Sequence, residues 1–369
     1  MIMLLWFVLF SIFVGSYLAF FAYLYFQARK PWRLKLDPQF RPSVTVLVAA
    51  HNEEAVIEER LRNIAEVTYP KDKMEIVFID DSSTDRTLSI VNNFMNTNPG
   101  TVLKVMKQHS RSGKAKALNL GLSIASGEMI VTTDADVLWP QDILSKALPY
   151  LADPTVGAIS GRAVLTNPNE SWVTQGEQSY LGLMSSWRLG ESKIHSTLRF
   201  EGCFSIFRKQ AFAEFDTEIG PDDSATALRI VQNKYRTVLV PEAHVSGEMP
   251  GKMKSRTKIK LRRAGHLTAL WFFCLKLLLR RQLLWPKRIA IPEIFLSIFG
   301  PIIFVALVAV TAVFLVYYPI VIVPLILFLC AVGLIPDTQY LIQAILDQFT
   351  LFCAICLYAT KRKYTMWNR

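Results

Sequence analysis

Between Ile2 and Phe26 the chain carries no charged side chain and little that is polar. At ~20 residues for each bilayer crossing, this run is long enough to span a membrane as a helix. No basic region precedes it and no small-residue cleavage site follows it, so residues 1–28 are expected to be a retained transmembrane helix rather than a signal peptide. Arg29, Lys30, Arg33 and Lys35 come directly after, and the positive-inside tendency predicts that the next segment lies in the cytoplasm. With 51% hydrophobic residues among 369 and a positive mean hydropathy, the chain is too apolar for a wholly soluble protein. Its middle, however, reads as ordinary soluble sequence.

That middle, residues 41–250, has an α/β pattern. The strand VTVLVAA (Val44 to Ala50) leads to a helix from Glu53 to about Ala65, with Ile57, Leu61 and Ile64 at helical spacing. MEIVFID is a second strand ending at Asp80, followed by a helix from near Asp85, and VLKVM is a third strand. The stretch GKAKALNLGLSIASGEMIVTTDADV then predicts a helix from Ala115 to Ser126, a stop at Gly127 and a buried strand, MIVTT. Alternating strands and helices predict a parallel sheet with right-handed crossovers. Ligands of such sheets sit at the carboxyl ends of the strands. Asn52 with Glu53, Asp80 with Asp81, and Asp134 with Asp136 occupy three such ends. Residues i and i+2 of extended backbone point the same way, so Asp134 and Asp136 can offer hard oxygen donors to one divalent cation that also holds phosphate.

In order, AAHNEE, FIDDSSTDRT, GKAKALN and TTDADV resemble the nucleotide-sugar half of the family 2 glycosyltransferases of the GT-A fold, and the likeness extends to about Leu270. The resemblance implies that Asn52 and Glu53 begin the donor site, that Asp80 or Asp81 reads the base, and that Lys114 lies near the phosphates. It also implies that Asp136, beside Asp134, holds Mg²⁺ or Mn²⁺. His51 stands where many relatives carry Tyr; it packs against a nucleobase or is a plain loop histidine. A P-loop is absent, because Gly113-Lys114 is followed by Ala and lacks the earlier glycine, and no GxGxxG follows a strand. These absences disfavour a nucleotide hydrolase and a Rossmann dehydrogenase.

An acceptor half should follow SGRAVL (Ser160 to Leu165), where Trp172, Glu177, Tyr180 and Trp187 mark an amphipathic region. The family resemblance makes Glu201-Gly202-Cys203 the floor under the transferred sugar; a glycine-permitted turn is the alternative. Cys203 has no base placed beside it by any motif and reads as packing. Asp222 and Asp223 precede a helix whose Ala225, Leu228 and Ile230 turn inward. Acids there can satisfy free N–H groups and the helix dipole. The resemblance also makes Asp223 the second acid of the family's Glu-Asp motif, the general base, with Asp222 replacing Glu.

Residues 251–288 form a basic, amphipathic segment: twelve Lys and Arg lie from Lys252 to Arg288, and no Asp or Glu occurs between Glu248 and Glu293. The embedded LTALWFFCLKLLL (Leu267 to Leu279) favours a helix on an anionic membrane surface over nucleic acid as its partner. Ile259 to His266 resembles the family's Gln-x-x-Arg-Trp segment. Arg262 matches its Arg and is expected to clasp the donor pyrophosphate, whereas Ile259 replaces Gln and Arg263 replaces Trp. In polymer-making members that Trp stacks on the acceptor, so its absence argues against processive synthesis.

Residues 289–360 hold three apolar stretches, Ile294 to Tyr317, Ile320 to Ile335 and Tyr340 to Thr360. Three full crossings would place Lys361-Arg362-Lys363 outside, against the positive-inside tendency, so one stretch is expected to be re-entrant or interfacial. Asp347, four residues after Gln343, is costly in lipid and should face protein or headgroups. Cys353 and Cys356 read as packing and no disulfide pattern is evident. The expectation is an integral membrane, inverting, metal-dependent glycosyltransferase, with a GT-A domain flanked by transmembrane helices. It would move a sugar from a nucleotide-sugar donor to a lipid or glycan hydroxyl at the cytoplasmic face. The alternatives are transfer to a polyprenyl phosphate, processive polysaccharide synthesis, or a silent membrane scaffold, against which the intact acids speak.

Overall fold

The computed structural model describes residues 1–321 and 339–360. In chain order its elements begin with α1 (Ile2–Ala28), β1 (Val44–Ala50), α2 (Ile57–Ala65), β2 (Met74–Asp80), α3 (Thr87–Thr97), β3 (Leu103–Lys107), α4 (Lys114–Ile124), β4 (Met129–Thr133) and α5 (Ile143–Ala147). There follow β5 (Val156–Leu165), α6 (Trp172–Ile194), β6 (Ser205–Arg208), α7 (Asp222–Gln232), β7 (Arg236–Gly247), α8 (Met253–Leu279), α9 (Lys287–Ile294), α10 (Gly300–Tyr317) and α11 (Gln339–Ala359). The chain divides into two units. One holds Gln27–Thr166 and Arg188–Glu248; the other holds Met1–Phe26, Asn167–Trp187 and the described residues from Met249 onward.

The first unit is built on a seven-stranded sheet of order β3-β2-β1-β4-β6-β5-β7. β1 runs parallel to β2 and β4, and β2 parallel to β3, as the alternation of strands and helices predicts. The expectation of a wholly parallel sheet is corrected on the other side, where β6 lies antiparallel to both β4 and β5. β6 has four residues and β7 contains Pro241, so neither presents the apolar run that marks β1 or β2. β7 is an edge strand, where a proline that cannot donate to the ladder is tolerated.

Every residue of β1, β2 and β4 is buried, because helices cover both faces of this part of the sheet. Val44, Val46, Val48 and Ala50 of β1 join one core with Ile57, Leu61 and Ile64 of α2 and with Val91 and Phe94 of α3. On the opposite face α4 comes so close that a Cβ on Gly121 would stand 2.7 Å from Ile79 Cδ1 and 3.1 Å from Leu47 Cδ2. The register sets Ala50 beside Asp80 and Val48 beside Thr133. The residues after β1, β2 and β4 therefore emerge at one level.

In the second unit, three described helices are long and apolar enough to cross a membrane: Ile2–Ala28, Lys287–Tyr317, which contains a π-helical turn at Phe295–Phe299, and Ile342–Ala359. They touch through specific side chains. Trp6 Nε1 donates to Thr311 Oγ1 (2.9 Å), Gln348 Nε2 donates to Tyr17 Oη (3.1 Å), and the Phe304 ring contacts Phe13 and Phe349. The middle apolar stretch falls almost wholly outside the described residues, as does Lys361-Arg362-Lys363. Within residues 251–288 the basic stretch and the embedded apolar run form one helix, α8, which ends at Leu279, so Arg280, Arg281, Lys287 and Arg288 lie beyond it. Arg256 on α8 donates to Glu177 of α6 (3.1 Å) and to both oxygens of Asp347 on α11 (3.1 and 3.2 Å), while Lys260 Nζ lies 3.0 Å from Glu177 and 3.3 Å from Asp347. Gln343 Nε2 donates to the Val173 carbonyl (2.7 Å). Asp347 and Gln343 thus both face protein, as their cost in lipid requires.

Gly127 gives the fold a direct test. It enters β4 with its N–H on Thr45 Oγ1 (2.9 Å), and a Cβ there would stand 2.5 Å from the Thr45 backbone nitrogen, which cannot swing away. Gly127→Ala is expected to destabilise by at least about 1–3 kcal/mol. Gly100→Ala, where nothing lies within 4 Å, should not. Thermal unfolding of both variants in detergent measures the difference; equal melting temperatures would contradict the close packing.

Candidate active site

The loops after β1 and β2 are stapled to each other. Asn52 adopts φ 57° and Ser82 φ 61°, left-handed conformations that persist only when surrounding contacts hold them. Asn52 Oδ1 accepts from the Thr84 N–H (2.8 Å), Asn52 N–H donates to Ser83 Oγ (3.0 Å), and Glu53 N–H donates to Thr87 Oγ1 (2.8 Å). His51 Nδ1 lies 2.8 Å from the Asp81 carbonyl oxygen, on the second loop. Glu53 is buried.

Asp80 and Asp81 are also buried and engaged with backbone donors. Asp80 accepts from the Ser83 N–H (3.1 Å), which turns the chain at the end of β2. Asp81 reaches the loop that launches α4, with Oδ1 accepting from Ser112 N–H (2.7 Å) and Oδ2 from Gly113 N–H (2.9 Å). Gly113 has φ 90°, which a side chain would strain. The next residue, Lys114, extends Nζ to Asp134 Oδ1 at 2.6 Å.

Asp134 and Asp136 follow β4, Asp134 half-buried and Asp136 exposed. Gly202 shows what else comes near. A Cβ built on it would lie 3.0 Å from Lys114 Nζ, 3.6 Å from Asp134 Oδ2 and 3.6 Å from Asp223 Oδ2. Lys114, Asp134 and Asp223, separate in sequence, therefore converge on the space beside Gly202. Asp223 lies in the first turn of α7, which Pro221 precedes, and its Oδ1 accepts from the Ser224 N–H (2.5 Å). Arg262 sits on α8, in the other unit.

One cation, Lys114, faces three acids in this space. Burial works against the ammonium of Lys114, but Asp134, Asp222 and Asp223 outweigh it and hold its pKa above the ordinary lysine value. Asp223 moves the other way. Burial, then repulsion from Asp222, push its carboxyl up to about 7, with Lys114 and the Ser224 hydrogen bond opposing.

Two features were not anticipated from the sequence. The Glu201-Gly202-Cys203 turn is anchored through Glu201, whose Oε1 lies 2.5 Å from Arg188 and whose Oε2 accepts from the Ala163 N–H (2.8 Å). Arg60 of α2 is buried under the β4 end, donating to Thr133 Oγ1 and to Asn63 Oδ1, each at 2.6 Å. A signal existed. Ile57, Arg60, Leu61 and Ile64 are spaced i, i+3, i+4, i+7, so a charged residue occupies the apolar face of the helix.

Among the described residues no group of three or more His, Cys, Asp or Glu side chains could hold a metal ion. Asp134 and Asp136 supply hard carboxylate donors, the set that suits Mg²⁺ or Mn²⁺ when substrate phosphate and water complete the coordination. The donor chemistry thus fits a cation that arrives with a phosphorylated ligand.

Residues 45–215 match the family model "Glycosyl transferase family 2". The chain is 36% identical over 144 residues to a beta-monoglucosyldiacylglycerol synthase of Synechocystis, covering 38% of this chain and 30% of that protein. It is 27% identical over 229 residues to the poly-beta-1,6-N-acetyl-D-glucosamine synthase of Staphylococcus aureus, 60% of this chain and 54% of that one. It thus spans about a third to a half of the length of these relatives. Among solved structures it resembles a mannosyltransferase of Pyrobaculum calidifontis in complex with GDP-Man and Mn²⁺, at TM-score 0.84 and 30% identity, over 98% of this chain and 100% of that one. The fold is GT-A. By the matched domain and the full-length structural likeness, this chain belongs to the family 2 glycosyltransferases.

Proposed function

We propose that the protein is a metal-dependent, inverting enzyme that transfers a sugar from a nucleotide-sugar donor to a hydroxyl of a membrane-associated acceptor, at the cytoplasmic face. The observation that carries this reading is the meeting of Lys114, Asp134 and Asp223 around Gly202, with Asp223 raised toward neutrality. A general base works best when its pKa lies near the operating pH, and deprotonating an attacking hydroxyl is the task such a group performs. Asn52, Glu53, Asp80 and Asp81 shape the nucleoside end of the donor pocket. Lys114 supplies a point charge for the diphosphate. Asp134 and Asp136 would hold the divalent cation, which when bound supplies Lewis-acid stabilisation of the departing diphosphate. Arg262 is the further cation assigned to the pyrophosphate.

The three apolar helices and the glycolipid-forming relatives support an integral membrane protein with a lipid or glycan acceptor. Arg29, Lys30, Arg33 and Lys35 after α1 support the cytoplasmic side, and the basic face of α8 suits an anionic membrane surface. Arg263 in place of the stacking Trp favours addition of one or a few sugars. Because the structural neighbour binds GDP-Man, a GDP-sugar is the first donor to test.

Incubating the detergent-solubilised protein with labelled GDP-mannose, UDP-glucose and UDP-N-acetylglucosamine and extracted lipids should yield a labelled lipid product. Chelation should abolish it and Mn²⁺ or Mg²⁺ restore it; full activity in EDTA would sink the metal assignment. Asp136→Asn should lose donor-nucleotide affinity together with activity.

Asp223→Asn should leave donor binding nearly intact and lower turnover by about two to four decades. In the wild type, kcat/KM should rise with pH and level off above about 7, as Asp223 loses its proton. A flat profile across that range would remove Asp223 from the role.

Stability should show the opposite dependence. The native state keeps a proton that the unfolded chain releases above its ordinary pKa of 3.8, so raising the pH from 4 to 7 disfavours the folded wild type. Asp223→Asn escapes that loss. Its melting temperature relative to the wild type should climb between pH 4 and 7 and stay constant beyond, and a constant difference throughout would contradict the raised pKa.

A further inference from the structure

Arg60 lies beneath the candidate site, and its surroundings are unusual for a guanidinium. It is 1% exposed, its Nε has no hydrogen-bond partner among the described residues, and none of its described hydrogen bonds goes to a carboxylate. A buried charge without a paired ion is costly, and an apolar side chain would pack there at lower cost. The structure shows what offsets the cost. The guanidinium stands over the Trp139 ring, 4.2 Å from its centroid, and in the field of Asp134 and Asp136. Burial lowers its pKa to about 9, so it remains a cation at neutral pH.

Its hydrogen bonds reach both walls of the site. Arg60 donates to Thr133 Oγ1, and the Thr133 hydroxyl is placed to donate to the Cys203 carbonyl (3.1 Å) and to the Asp134 carbonyl (3.2 Å). Trp139 Nε1 also donates to the Cys203 carbonyl (3.4 Å). Asn63, the other partner of Arg60, brackets Trp139, accepting from its N–H and donating to its carbonyl, both at 2.9 Å. One buried side chain therefore ties the Asp134–Asp136 turn to the Glu201–Cys203 turn.

We infer that Arg60 is a positioning residue and a fixed counter-ion for the acid pair. It sets the spacing of the two turns, and its charge holds the attraction of Asp134 and Asp136 for a divalent cation below what the two acids would exert alone. The cation is then retained only together with the diphosphate of the donor. This rests on the reading of Asp134 and Asp136 as the metal-holding pair.

Charge and geometry separate by substitution. Arg60→Met fills the space without charge or donors, Arg60→Lys keeps the charge but loses the fork, and Thr133→Val keeps the charge but cuts the link. Binding of GDP to the full-length protein in detergent is followed by calorimetry while Mn²⁺ is varied, with no acceptor present. Arg60→Met should need about three- to tenfold less Mn²⁺ for half-maximal GDP binding, the size expected for removing one nearby like charge from a screened site. Arg60→Lys and Thr133→Val should stay within about twofold of the wild type in Mn²⁺, while their kcat falls and their KM for donor changes little. Arg60→Gln is a second neutral variant and should follow Arg60→Met if the latter does not fold. An unchanged or increased Mn²⁺ requirement in the neutral variants would overturn the counter-ion role. Unchanged kcat in Thr133→Val would overturn the positioning role. If wild-type GDP binding ignores Mn²⁺ altogether, it is the metal assignment that fails, an outcome distinct from either.

Discussion

The candidate site depends on one buried carboxylate, Asp81, which positions other groups. Its two oxygens accept the N–H groups of Ser112 and Gly113, and this bidentate grip ends the loop after β3 at a fixed point. Because Gly113 turns there with positive φ, α4 starts with Lys114 aimed at Asp134. Weakening the grip would move Lys114 and, with it, the charge that balances Asp134, Asp222 and Asp223. A hydrogen bond to a charged acceptor contributes more than a neutral one, and here two of them set the position of a third group.

Much of this was legible in the sequence, for physical reasons. β1, β2 and β4 are buried on both faces and so read as mostly apolar runs, broken only by Thr45, Glu75, Asp80, Thr132 and Thr133, and α2 announces itself through Ile57, Leu61 and Ile64. Placing Asn52, Asp81 and Asp134 at one level needed only the rule that parallel strands present their carboxyl ends together. The second half of the sheet was not legible. β6 is too short to show a period, β7 carries Pro241, Glu242 and His244, and the reversal of β6 arises only once α6 and the Glu201–Cys203 turn have carried the chain back. Asp223 could be named from family resemblance alone, since an acid in a first helical turn is otherwise an ordinary cap. Arg60 is hard to read from sequence because Ile57, Leu61 and Ile64 carry the helical period around it, although a charge among them is the more informative observation.

The same principle, that a charge away from water must find a partner, organises the second unit. Arg256, Lys260, Glu177 and Asp347 form a compact set of two cations and two anions, with Lys260 also 3.6 Å above the Tyr180 ring. Such sets contribute less to stability than their number of contacts suggests, since desolvation offsets much of the attraction. Their stronger effect is on geometry. Only one rotation of α11 about its axis presents Asp347 to α8 while Gln343 reaches the Val173 carbonyl.

That arrangement also bears on how the chain is made. A helix entering a bilayer with an aspartate in its first half inserts poorly by itself, by about 2.5–3.5 kcal/mol for an acid at the centre and less toward an end. α6 and α8, which hold the partners of Asp347, are synthesised before α11, so Arg256 and Lys260 are already present when the aspartate emerges. The order of elements along the chain thus matches an order of assembly, in which α11 is received by a site that α6 and α8 have prepared.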